Sequence, residues 1–139
     1  MWQLRINDMQ PGRVLAVDLR HVLRALGRDA SSATWTVSGV EADDEELFAT
    51  GDGALELEAL AVSGERISGN LLSDISERTH QVIWGDFRAF KDEGQSPWLR
   101  ITAYDSTWYG VVCEDRAVVE RIASCFEHTS ITCLPDAGP

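Results

Sequence analysis

The sequence predicts an α+β fold: an antiparallel sheet, made of a three-stranded meander plus one earlier strand, packed against about four helices. Two observations lead there. Apolar residues recur at helical spacing in four separate stretches, and after residue 80 three aromatic and β-branched runs follow one another through short, turn-rich links.

Taken in order, Leu19, Val22, Leu23 and Leu26 stand at i, i+3, i+4 and i+7, with Asp18 placed to cap the helix and Gly27 to stop it. Ala33 to Val40 is rich in Thr, Trp and Val, puts Trp35 and Val37 on one side, and reads as a strand at a sheet edge. In the charged connection Glu41 to Thr50, Asp43 and Glu46 have capping-box spacing ahead of Leu47 and Phe48, which predicts one helical turn. From Gly53 to Val62 the residues Ala54, Leu57, Leu60 and Ala61 share a helical face that Ser63-Gly64 terminates. Ser68 then caps a helix through Arg78 whose inward side is Leu71, Leu72 and Ile75. Gln81 to Phe90, Trp98 to Tyr104 and Thr107 to Cys113 form the meander, divided by Lys91 to Pro97 and by Asp105-Ser106. A last helix, Asp115 to Glu127, presents Val118, Val119, Ile122 and Phe126. Leu23, Leu60, Ile75, Ile101 and Ile122 lie inside these patterns and are the expected core.

At 139 residues the chain is long enough for one self-sufficient core, so residues 1–133 are read as a single domain and 134–139 as a flexible tail. No stretch approaches the roughly 20 apolar residues of a membrane span, and the start lacks the apolar run of a secretory signal, so a cytoplasmic location is expected. Three cysteines in such a setting imply reduced thiols and no disulfide framework.

Charge is unevenly placed. Residues 1–28 carry five Arg and two Asp, and residues 66–139 carry eleven acids against seven bases. Residues 29–65 hold ten acids and no Lys or Arg, which accounts for most of the net charge of −11. With 12 Lys and Arg against 23 acids, nucleic-acid binding is disfavoured, because phosphate contacts need cationic side chains.

The sequence contains no Gly-rich phosphate loop, nucleophile elbow or paired-His helix. His21, His80 and His128 have no partner at a diagnostic spacing. Cys113, Cys125, His128 and Cys133 are four candidate zinc ligands, but a predicted helix separates Cys113 from Cys125 by about 15 Å, too far to share one ion. No metal and no cofactor is expected. Asp86, Asp105, Glu114 and Asp115 fall near predicted strand ends, where acids are usually solvated turn residues rather than a catalytic pair.

Four of the five tryptophans belong to predicted strands. Adjacent large residues such as Ile83 and Trp84 point to opposite faces of a strand, so either a second layer covers the sheet or an aromatic patch faces a partner. Trp84, Phe87, Trp98, Trp108 and Tyr109 are the candidates for such a patch or pocket.

Together these features favour binding over catalysis. The leading expectation is an acidic protein-binding module of the immunity or inhibitor kind, neutralising a basic partner such as a toxin through Asp43, Asp44, Glu45, Glu46 and Asp52. The alternative is a small enzyme or ligand-binding domain with a pocket between meander and helices, lined by Trp84, Phe87, Trp98 and Tyr109. A homo-oligomer subunit is the third reading.

Overall fold

A computed structural model describes residues 1–10, 14–40, 47–91 and 96–135. In chain order the elements are β1 (Trp2–Ile6), β2 (Met9–Gln10), β3 (Val14–Leu15), α1 (Leu19–Leu26), α2 (Arg28–Ser31), β4 (Thr34–Ser38), β5 (Phe48–Gly51) and α3 (Ala54–Ser63). They continue with β6 (Ile67–Ser68), α4 (Gly69–Glu77), β7 (Thr79–Phe90), β8 (Leu99–Tyr104), β9 (Trp108–Cys113), α5 (Arg116–Ala123) and β10 (Thr129–Cys133). Among the described residues this is an α+β fold with an antiparallel open sheet of eight strands and five helices. The strand order is β10-β1-β9-β8-β7-β4-β6; β5 joins β7 beside β4, and β2 and β3 pair separately.

Local chemistry accounts for most boundaries. The Ser68 side chain accepts the Leu71 N–H and starts α4, the Asp115 carboxylate accepts the Ala117 N–H and starts α5, and left-handed Gly64 ends α3. At the start of α1 the Asp18 backbone N–H donates to His21 Nδ1 at 2.9 Å, which gives an orphan donor an acceptor. Gly69 is required by close packing: a Cβ there would lie 1.9 Å from the Ala30 carbonyl oxygen.

The meander β7-β8-β9 sits inside a sheet larger than the sequence suggested. β1 and β10 add to the free edge of β9, and β4 carries the two-residue β6 on its far side. The helical turn expected before residue 50 is corrected in its described part: Phe48–Gly51 is a strand, pairing with β7, while Glu41 to Glu46 lie outside the described residues. The last helix ends at Ala123 instead of Glu127. The chain then turns back through Phe126, and the β-branched run of β10 pairs with β1.

One side of the sheet faces the helices. Leu4 and Ile6 of β1, Trp35 and Val37 of β4, Phe87 and Ala89 of β7, Leu99 and Ile101 of β8, and Tyr109 and Val111 of β9 are buried there. They pack with Val22 and Leu26 of α1, Leu72 and Ile75 of α4, and Val119 and Ile122 of α5 in one core. Of the expected core residues Leu23, Ile75, Ile101 and Ile122 are buried and Leu60 is half-buried. Leu71, expected to point inward, is exposed: α4 directs Leu72 and Ile75 inward, and Leu71, one position before Leu72, falls on the outer side. Leu134 continues past β10, its N–H donating to the Met1 carbonyl.

Candidate functional site

The ladders decide which side chains share the outward face, because directly opposed residues project to the same side of a sheet. Phe48 opposes Trp84, Trp84 opposes Tyr104, and Tyr104 opposes Trp108. This is a continuous aromatic row across β5, β7, β8 and β9, about 14 Å long at the usual strand spacing. Phe48 is exposed and the other three are half-buried. A one-residue register shift between Phe48 and Ala49 makes the row continuous: it lets Val82 enter the core while Trp84, two residues on, faces outward.

At the β9 end the row is held in place by stacking. Tyr104 and Trp108 stack with ring centroids 4.0 Å apart and 13° between planes, and the Arg5 guanidinium lies 4.4 Å from the Trp108 ring centre. Gly110 leaves the space for this, since a Cβ there would come within 3.0 Å of the Trp108 indole and 3.3 Å of the Tyr104 ring. The connecting turn puts Asp105 and Ser106 at positive φ and closes with Thr107 N–H to Tyr104 O at 2.9 Å.

The next rows are polar. Asp86 stands in the middle of β7 rather than at its end and is only 1% exposed. Its Oδ1 accepts from Arg100 Nε at 2.6 Å and from the Thr102 hydroxyl at 2.9 Å, and its Oδ2 accepts from Arg88 Nε at 3.0 Å. Arg88 and Arg100 are cross-strand neighbours, an arrangement that repels unless a counter-charge lies between them. The buried carboxylate supplies it. One acid serves two guanidinium groups, so the cluster keeps a net positive charge. Beside it lies a cavity of about 470 Å³ lined by Thr36, Ser38, Gly39, Asp86, Arg88 and Arg100, with Ala61 of α3 and Gly64 just past its end as the far wall.

The residues singled out from the sequence therefore divide between two sides. Trp84 and Trp108 face outward in the row, Trp98 lies half-buried at the other end of that face beside Arg100, and Phe87 and Tyr109 are fully buried toward the helices. They do not line one pocket between meander and helices. Burial, and secondarily the Asp18 carboxylate, holds the Tyr109 phenol well above its usual range, so it stays neutral in the core. Asp52 is exposed in the turn before α3; Asp43, Asp44, Glu45 and Glu46 lie outside the described residues.

The other candidates scatter. Asp115 caps α5, Asp105 is an exposed turn residue, and Asp8 accepts the backbone N–H groups of Glu127 and His128. Cys113 is buried in β9 while Cys125 and Cys133 are exposed, and among the described residues no three His, Cys, Asp or Glu side chains converge as metal ligands would. Among those residues, too, no helix is long and apolar enough to cross a membrane. Sequence reasoning missed the Arg88–Asp86–Arg100 cluster and Arg5. The signal for the first was the alternation Asp86-Phe87-Arg88 facing Arg100-Ile101-Thr102, polar in one phase and apolar in the other.

Compared with known protein families, with curated proteins and with solved structures, the chain finds no match.

Proposed function

We propose that this protein is a recognition module, not an enzyme, and that it docks an acidic protein partner on the outward face of its sheet. The observation that carries the reading is the row Phe48, Trp84, Tyr104 and Trp108 with Arg5 over its end, displayed on the side of the sheet away from the core. Aromatic and arginine side chains are the ones enriched at the energetic centres of interfaces. Charge complementarity selects the partner. The strand residues of this face contribute Arg5, Arg88 and Arg100, whereas Asp86 is buried and already engaged by two of them.

The test is capture from the native cell at low salt, with wild type and Trp84→Ala/Trp108→Ala as paired baits and folding checked by circular dichroism. The reading requires an acidic partner retained by wild type and lost by the double variant. A partner retained equally by both would overturn it.

A second reading rests on the acidic third, residues 29–65, and takes a basic partner such as a toxin, as an immunity protein would. The observation favouring it is ten acids without a base, of which Asp52, Glu58 and Glu65 are exposed. Concentrated charge of one sign speeds encounter with an oppositely charged surface. Reversing Asp43, Asp44, Glu45 and Glu46 to Lys separates the two readings, since it would abolish capture of a basic partner and leave an acidic one bound.

A further inference from the structure

The paired arginines Arg88 and Arg100 stand on the outward face apart from the aromatic row. Arg88 and Arg100 each spend Nε on Asp86, and neither donates elsewhere among the described residues. Among the described residues each guanidinium therefore keeps both η nitrogens, which carry four of its five N–H donors. The side chains are 45% and 43% exposed, so those donors reach solvent, while the shared carboxylate fixes their direction. One carboxylate faces two guanidinium groups, so one positive charge stays in excess.

The pair also stands between two cavities. On one side is the polar cleft with Thr36 and Ser38; on the other is a cavity of about 260 Å³ walled by Met1, Pro97, Trp98, Leu99 and Val112, with Arg88 and Arg100 as its polar rim. Trp98 Nε1 is a buried donor with no acceptor among the described residues, and Lys91 Nζ lies 4.3 Å from the centre of the Trp98 ring. Guanidinium pairs match carboxylate and phosphate oxygens in a way a point charge does not.

We propose that the cavity beside Trp98 binds an organic anion, its carboxylate or phosphate head held at the rim by the η nitrogens of Arg88 and Arg100 and its apolar body resting on Trp98 and Val112. The anion comes either as a free small molecule or as an acidic side chain of the docked partner. The proposal does not need the partner, because a free anion reports on the cavity alone.

Nitrogen-15 spectra of the full chain, resolving the Arg side chains and the Trp98 indole N–H, are recorded while acetate, inorganic phosphate, benzoate, phenyl phosphate and neutral benzamide are titrated in turn. Benzoate and phenyl phosphate should shift the Arg88, Arg100 and Trp98 signals saturably and bind at least about tenfold more tightly than acetate and inorganic phosphate, since each buried apolar carbon contributes to affinity. Benzamide should not bind. Arg88→Gln and Arg100→Gln should each weaken benzoate at least about tenfold, whereas Arg5→Gln on the same face should leave it unchanged. Arg88→Lys keeps the charge and removes the fork, so weakened binding in that variant, folded by its thermal midpoint, supports the geometry even if a Gln variant unfolds. Phenyl phosphate that displaces a captured partner assigns the natural anion to that partner, and displacement of none assigns it to a free molecule. No saturable shift, benzamide binding as well as benzoate, or affinity unaltered in folded Arg88→Lys and Arg100→Gln would overturn the proposal. Loss of the partner proposal would remove only the displacement arm and leave the titrations of the free protein and its variants intact.

Discussion

The arginines of the outward sheet face and the acids of residues 29–65, a stretch that itself supplies β4 and β5 to that face, carry opposite charge and were brought together in opposite ways. Residues 29–65 owe their charge to ten acids close together in sequence, whereas the cationic face gathers Arg5, Arg88 and Arg100 from three strands by ladder register. A net charge of −11 thus conceals a local surface of the other sign. Whole-chain charge bears on solubility and long-range encounter, while docking is decided by what the register brings together.

Substitutions along β7 test this contrast, because its side chains alternate between the two faces. The largest expected effect is on the core side: Phe87→Ala should lower stability by about 3–5 kcal/mol, measured by denaturant unfolding, and leave anion binding at the cavity beside Trp98 in place while the fold persists. Asp86→Ala comes next, at about 2–3 kcal/mol, since it removes an acceptor of three hydrogen bonds but leaves arginines that water can reach. A cost near zero would mean that the carboxylate is not what holds the arginines. Trp84→Ala on the outward row should cost only about 1 kcal/mol, since the ring is half-buried. If it costs as much as Phe87→Ala, the row is core and not surface.

A smaller effect comes from pH. Burial, then Arg20 and Arg24, hold the His21 imidazole below its usual range, and its Nδ1 accepts the Asp18 N–H. The lowered folded-state value means that His21 contributes stability present above 6.5, its ordinary value, and lost as pH falls through the lower folded value. Unfolding midpoints between pH 7 and pH 5 should therefore decline, and His21→Gln should flatten the decline. The smallest effect belongs to the acidic third. Asp52→Lys and Glu58→Lys, both exposed, should change stability by no more than about 0.5 kcal/mol.

Helices were the most legible part of the sequence, because α1, α3, α4 and α5 display helical periods in their residues, although the period placed Leu71 inward where α4 turns it out and carried the last helix four residues past Ala123. Strands with an alternating pattern inside the meander were legible too. β1 and β10 were not singled out, although Trp2-Gln3-Leu4-Arg5-Ile6 alternates, because they sit far apart in sequence and only their pairing through β9 and with each other gives them a place. The candidate surface was half legible. Opposite-facing neighbours such as Ile83 and Trp84 implied an outward aromatic, but whether Phe48, Trp84, Tyr104 and Trp108 align depends on hairpin register and on the extra residue β7 carries opposite β5, which short-range pattern does not encode. Asp86 read as a turn acid for the same reason: its partner strand residues, Arg100 and Thr102, are fourteen and sixteen positions away.

The central claim, that recognition occurs on the outward sheet face, is tested most directly by hydroxyl-radical footprinting of the protein alone and with its captured partner. Oxidation of Phe48, Trp84, Tyr104 and Trp108 should fall sharply in the complex while Leu55 and Val62, exposed on α3, keep their reactivity. Protection confined to residues 52–65, with the aromatic row as reactive as before, would contradict it.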